Sequence, residues 1–383
     1  MYGFLLGREF RISVAEIISV FPNIQTIYQD KQIFIWGNIS SEEILEKANH
    51  LGGTIKIISL ETTNKEIPDL IYDKAPEEWK YHYALSVFGE KQSLKDILLK
   101  VKKKLRADNI SSRFTNKDFK NLTSAQIIGE NLVRKNTDFN YINTGENIYF
   151  GASIWVQDIY AYSKRDYSKD RDMQVGMLPP KLSQMMINLS GGKTIYDPFV
   201  WLGTVLIESL HMGNKKVFGS DLSDQMVETS KKNCETVSEN LFLNAIIWIE
   251  KLNAKFIYES EYFSHWVDAI VTEWYLGEVM TKKNISAERI EKQRESLVKI
   301  YEAFFAWLAK TKFTWNIIIC FPFWEIRGKY SFFNEIYSII EKNCEILPFF
   351  PTDYEIQATK AWSLLYKRDS QLVWREIFKL KIK

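Results

Sequence analysis

Cysteine is scarce: Cys234, Cys320 and Cys344 are odd in number and far apart in a chain of 383 residues. Such spacing builds neither a disulfide framework nor a paired zinc motif, so a reducing, cytoplasmic compartment is expected, with all three thiols as buried small hydrophobes. The four histidines (His50, His82, His211 and His265) show no metal-ligand spacing, and no metal requirement is expected. No stretch reaches the roughly 18 to 20 uninterrupted apolar residues of a membrane helix. The short apolar run at the N-terminus ends at Arg8 and Glu9 without a small-residue cleavage site, and reads as a strand rather than a signal peptide. A Gly-x-Ser-x-Gly elbow, a phosphate-loop Lys, internal repeats and low-complexity tracts are also missing.

What is there is the balance of a soluble globular protein, with 46% hydrophobic and 26% charged residues, long enough for two or three domains. The 12 Trp, 19 Tyr and 24 Phe suffice for large cores and some stacking surface. A net charge of +2 hides a basic block: residues 91–135 carry twelve Lys or Arg against four Asp or Glu. That is the footprint of phosphate contacts, or else a solvated helix face.

Residues 1–62 are expected to be β-α-β-β-α-β, a ferredoxin-like domain. Its first helix spans Ser13 to Phe21, with Ser13 as N-cap and Glu16 as capping-box partner. Residues 61–80, with Pro68 and Pro76, read as a linker. A second α+β domain is expected over 63–163, with strands at Tyr81–Phe88, Ser111–Phe114 and Ile148–Val156, a helix over Ser124–Val133, and a basic amphipathic helix from Ser93 to Arg106. Residues 157–171 read as an exposed connector, and 164–193 as the linker and a helix before the next strand. From 194 to 383 helices alternate with buried strands, the pattern of a doubly wound α/β sheet.

In such a sheet ligands sit at the carboxyl ends of the strands. One candidate strand ends at Asp197, followed by a Gly203-containing turn; the next ends at Asp221. Acids at successive strand tips suit a ligand with a cationic amino-acid end and a ribose, although Asp also caps helices on its own account. The run Phe321-Pro322-Phe323-Trp324 reads as core or loop anchor before it reads as a base-stacking platform.

The segment Val267 to Gly277 resembles the acceptor-amine motif of amino-methyltransferases. More widely, residues 165–233 resemble the linker and first half of the catalytic domain in THUMP-containing tRNA guanine-N2 methyltransferases. The run Arg171-Asp172-Met173 through Gly176-Met177-Leu178-Pro179-Pro180-Lys181-Leu182 carries most of that likeness. Leu5 to Ile17 and Tyr366 to Ile377 look like that family's ends. The resemblance implies S-adenosylmethionine as cofactor, a Rossmann-like methyltransferase domain, and ferredoxin-like and THUMP-like domains before it. By it, Asp197, Phe199, Gly203 and Thr204 line the methionine end. Asp221 holds the ribose, Leu222 and Asn253 touch adenine, and Pro179 and Leu182 close the other side. Thr272, Glu273 and Tyr275 make up the catalytic face, with Glu273 and Tyr275 toward the target base. RNA, tRNA first, is the expected partner, with an accessory protein subunit as a further one. Lys102, Lys103, Arg106, Arg113, Lys164 and Arg165 are the expected phosphate contacts.

Two departures stand out. The loop of the family it resembles typically reads Asp-Pro-Phe-Cys-Gly-Ser-Gly-Thr, and Trp201 stands in the place of its first glycine, where any positive φ would be strained. The motif reads Thr272-Glu273-Trp274-Tyr275, with its carboxylate one residue late and no proline. Transfer to the N2 of a guanosine in tRNA is the expectation. A relative that binds RNA or cofactor without transfer, and a methyltransferase with another class of acceptor, are the alternatives.

Overall fold

A computed structural model describes the chain except residues 23–24, 77–79, 91–92, 168–177, 261, 278–279, 281–283, 312, 327, 353, 355 and 369–370. The family-like run from Arg171 through Gly176 and Met177 lies outside the described residues. Contacts divide the chain into two units: Met1–Arg8, Asn23–Asn49 and Thr54–Tyr162, and Glu9–Pro22, His50–Gly53 and Ser163–Lys383. Among the described residues no helix is long and apolar enough to cross a membrane.

The elements up to residue 167 are β1 (Tyr2–Leu6), α1 (Phe10–Val20), β2 (Gln25–Gln29), β3 (Ile33–Gly37), α2 (Ser41–Ala48), β4 (Thr54–Thr62), α3 (Ile67–Tyr72), β5 (Tyr81–Phe88), α4 (Leu94–Ala107), β6 (Ser112–Phe114), α5 (Ser124–Gly129), β7 (Asp138–Asn143), β8 (Ile148–Val156) and α6 (Ile159–Tyr167). The first unit is built on one mixed sheet in the order β2-β3-β1-β4-β8-β7-β5-β6. On α4, Ile97, Leu98, Val101 and Leu105 are buried against Tyr81, Tyr83, Leu85 and Phe139 of the sheet, as its helical period requires.

Several expectations need correction. Helix α1 starts three residues before Ser13, because Phe10 and Ile12 extend its apolar face; Ser13 lies inside it and donates to the Glu9 carbonyl oxygen. Glu16 is not a capping partner either: its buried carboxylate accepts from the Gly52 and Gly53 amides at 2.8 Å and from Asn188 at 2.7 Å. The supposed linker contains α3, whose Pro68 sits in the first turn, where a missing N–H costs nothing. Part of the supposed connector is α6, and α5 stops at Gly129.

Strand β7 escaped the sequence reading because it alternates polar and apolar residues on faces that are both covered. Its Asp138 joins a buried network on this sheet: Lys56 Nζ lies 3.1 Å from Asp138 Oδ2 and 3.3 Å from Ser86 Oγ, and Ser153 Oγ donates to the same carboxylate at 2.5 Å. Lys56 and Asp138 are 1% and 0% exposed. Removing one partner strands the other charge, so Lys56→Met is expected to cost about 3–5 kcal/mol, read as a lower urea midpoint for the first transition of the full chain. An unchanged midpoint would mean that the pair does not hold the sheet together.

The second unit continues with α7 (Pro180–Ser190), β9 (Thr194–Asp197), α8 (Thr204–His211), β10 (Lys216–Asp221), α9 (Asp224–Asn240), β11 (Ile246–Lys251), α10 (Phe263–Trp266), β12 (Ala269–Glu273), α11 (Ala287–Leu308), β13 (Asn316–Ile326), β14 (Lys329–Ser331), α12 (Glu335–Asn343), β15 (Cys344–Ile346), β16 (Leu364–Tyr366) and β17 (Val373–Ile382). Its sheet runs β11-β10-β9-β12-β13-β17-β15. The first five strands are parallel, and β17 enters antiparallel between β13 and β15. This is a Rossmann-like doubly wound sheet, with the strand order reversing between β9 and β12. Period-2 alternation sends Tyr196, Phe218, Ile270, Ile317 and Ile319 into a core with Leu297, Tyr301, Phe304 and Phe305 of α11. Helix α7 packs on β12 and β13, where Met186 meets Cys320 at 3.4 Å. None of the three cysteines is in a disulfide, and all three are buried.

Candidate functional site

The strand tips at the β9/β12 switch carry the acids. The Asp197 carboxylate ends β9 and accepts the Phe199 amide at 3.0 Å, which turns the chain out of the sheet. Thr272 at the end of β12 donates its hydroxyl to the same oxygen at 2.6 Å, tying the first strand to the fourth. Burial pushes the Asp197 carboxyl up to about 7, against the hydrogen bonds from Thr272 and Phe199 and with the nearby Asp221 and Glu273 carboxylates.

The loop after β9 folds back on β10. Val200 N–H donates to the Ser220 carbonyl oxygen, and Trp201 N–H donates to Asp221 Oδ2 at 3.0 Å. Asp221 Oδ1 accepts the Ser223 amide, also at 3.0 Å. Each Asp221 oxygen keeps a lone pair for a ligand hydroxyl. Close approach of the loop depends on Gly219, where a Cβ would stand 3.0 Å from the Asp197 carbonyl oxygen and 3.1 Å from Leu206 and Val200. Trp201 adopts φ 44, so a left-handed residue does stand where the sequence raised the question of strain. Gly203, at φ 83, starts α8 with Thr204 as its first residue.

Leu222 is exposed beyond β10, and Asn253 follows β11 and caps a short 3-10 turn by accepting the Lys255 amide at 3.1 Å. Pro179 is the N-cap residue of α7, and Leu182 is buried within that helix.

The fourth tip differs from the sequence picture in its partners. The Thr272 hydroxyl is fully buried and committed to Asp197. Glu273 Oε1 is bound by Nε of Arg375 from β17, and the side chains are 12% and 1% exposed. Burial raises the Glu273 carboxyl above its ordinary value, and the Arg375 guanidinium opposes the rise. No described residue donates to the other oxygen, Oε2. Trp274 turns inward, 4.1 Å from the Phe199 ring and at right angles to Tyr301 and Phe304. Tyr275 is 50% exposed, and its carbonyl oxygen accepts the Tyr301 hydroxyl at 3.3 Å. The aromatic packing of Trp274 thus anchors a segment that lacks the motif's prolines.

The sequence reading missed Arg375 and Tyr301. For Arg375 a signal existed: Arg375-Glu376 interrupts the otherwise apolar run of Val373 to Phe378, and both charged residues are buried. Such residues inside a central strand need partners; Glu376 finds Tyr337 and Ser363.

Among the expected phosphate contacts, Lys102, Lys103 and Arg106 are exposed on α4, and Lys102 lies 5.8 Å from the Phe114 ring. Arg113 is exposed on β6 and sits 3.2 Å from Glu130. Lys164 is exposed on α6, whereas Arg165 is half-buried with Nε 3.5 Å from the buried Glu208.

No family model matches the chain. A tRNA (guanine(10)-N2)-dimethyltransferase of Methanothermobacter thermautotrophicus is 43% identical over 63 residues, 16% of this chain and 18% of that protein. The enzyme of the same name from Pyrococcus abyssi is 44% identical over 59 residues, 15% and 18% of the two chains. The chain thus spans 18% of the length of these curated relatives. Among solved structures, the M1A22 tRNA methyltransferase of B. subtilis is similar at a TM-score of 0.32, with 10% identity over 51% of this chain and 61% of that one.

Proposed function

We propose that the chain is an S-adenosylmethionine-dependent methyltransferase that modifies the exocyclic N2 of a guanosine in tRNA. The observation that carries this reading is the convergence of Asp197, Asp221 and Glu273 at the carboxyl ends of β9, β10 and β12, around the strand-order switch. The short matches to tRNA guanine-N2 dimethyltransferases support the choice of acceptor. The donor set fits the cofactor: a buried carboxylate for the ammonium end, a second held by backbone amides for the ribose, and a loop brought close by a missing side chain at Gly219.

When bound, the cofactor supplies an activated methyl group on a sulfonium. The residues then have two tasks. Asp197 and Asp221 fix the donor. Glu273 Oε2 accepts an N–H of the acceptor amine while Tyr275 offers a face to the flipped base, so that the nitrogen is positioned for attack. The basic face of α4 holds the RNA by its phosphates.

A bound ammonium group requires ionised Asp197. Affinity for S-adenosylmethionine is therefore expected to weaken by up to about tenfold for each pH unit below about 7, and to level off above it. Titrations between about pH 5.5 and 8 check this, and should show proton release on binding at the acid end. A pH-independent affinity would remove Asp197 from that role.

Changing Lys102, Lys103 and Arg106 together to Glu is expected to weaken tRNA binding at least about tenfold and to flatten its salt dependence by about three ion equivalents, with cofactor affinity unchanged. Filter binding at several salt concentrations measures it; an unaltered slope would place the RNA elsewhere.

One second reading has an observation behind it. Left-handed Trp201 in the loop and a Glu273 already paired with Arg375 suit a relative that binds tRNA without methylating it. Methyl transfer to tRNA separates the two. Transfer supports the enzyme, and tRNA binding without transfer, with or without cofactor binding, supports the second reading.

A further inference from the structure

The sequence motif gives no reason to look beyond Val267 to Gly277 for a residue that controls the acceptor carboxylate. The fold supplies one from the far end of the chain. Strand β17 runs antiparallel to β13, which places Arg375 opposite Pro322, just past the point where Glu273 pairs with Cys320 on the other side of β13. Arg375 is buried. Its Nε holds Glu273 Oε1, and its Nη1 donates to Gln371 Oε1 at 2.9 Å.

We infer that Arg375 is a positioning residue for methyl transfer: it pins one oxygen of Glu273 and presents the other to the acceptor amine. This rests on the methyltransferase reading proposed above. The physical case is one of rigidity. The segment from Thr272 to Tyr275 contains no proline to stiffen it, and a long Glu side chain loses much rotamer freedom when it is held in one place. A planar guanidinium fixed at two points restores the lost order, because its donors have a set direction that an ammonium lacks. No described residue competes for Glu273 Oε2, so the pair leaves an acceptor atom open at the strand tip.

The test uses the full chain with unmodified tRNA and S-adenosylmethionine, comparing wild type, Arg375→Lys, Arg375→Met, Glu273→Gln and the double variant Arg375→Met/Glu273→Gln. Transfer rate, KM for tRNA and cofactor affinity are measured for each. The expected pattern is a kcat about 100-fold lower for Arg375→Met, with KM and cofactor affinity within about threefold of wild type. Arg375→Lys should recover part of the loss, and the double variant should be no slower than Glu273→Gln alone. A purely structural Arg375 would instead reduce cofactor binding, tRNA binding and rate together, and its effect would add to that of Glu273→Gln. Should Arg375→Met not fold, Arg375→Lys decides: a wild-type rate and pH profile overturn the inference, and a slowed rate with intact binding sustains it. Absence of transfer by wild type would overturn the methyltransferase reading itself, and this inference with it. Active wild type with an equally active Arg375→Met would overturn this inference alone.

Discussion

Asp221→Ala is expected to abolish measurable binding of S-adenosylmethionine, raising Kd by about 100-fold or more. The carboxylate has two jobs that Ala cannot do. It accepts the Trp201 and Ser223 amides at 3.0 Å each, which holds the loop after β9 against β10, and its remaining lone pairs are those available to the ribose hydroxyls. Hydrogen bonds to a charged group contribute about 1.5–3 kcal/mol each, so losing two accounts for an effect of that size without any change in fold. Asp221→Asn keeps the volume and some accepting capacity and should fall between wild type and Ala. Calorimetric titration alongside a thermal melt measures both variants. A folded Asp221→Ala protein with wild-type affinity would mean that the ribose is not held at the β10 tip.

Glu273→Gln is expected to lower the rate of transfer to tRNA by about 10²–10³ while leaving cofactor affinity within about threefold. The substitution keeps the side chain's size, so Arg375 is not left facing a void. It removes the charge that lets Oε2 accept an amine proton strongly, and it leaves the terminal amide free to turn its nitrogen toward the substrate. Steady-state rates and titrations on the same preparation separate the two effects. Equal losses of rate and cofactor binding would show that Glu273 serves the donor pocket rather than the acceptor.

The two acids at the tips of β9 and β10 were legible in the sequence, because an apolar run that ends in Asp before a Gly-containing turn is a local pattern. So was the amphipathic face of α4, with its buried Ile97, Leu98, Val101 and Leu105. What escaped was non-local. The polar residues of β7 look like those of a loop until Lys56 and Ser153, from two other strands, are seen to partner Asp138 and Asn140. Helix α3 was hidden by Pro68, which ends helices elsewhere but begins this one. Strand β17 was concealed by Arg375 and Glu376, whose partners Glu273, Tyr337 and Ser363 are distant in sequence. The motif around Thr272 pointed to the tip of β12 but not to its wiring: the Thr272 hydroxyl is committed to Asp197 and Glu273 to an arginine.

The most direct measurement is nucleoside analysis of tRNA lacking guanosine modifications, after incubation with the full chain and S-adenosylmethionine carrying a deuterated methyl group. The expected result is deuterated N2-methylguanosine, absent in the Asp221→Ala control. Bound cofactor with no labelled nucleoside, or label on another base, would contradict an N2-guanosine methyltransferase.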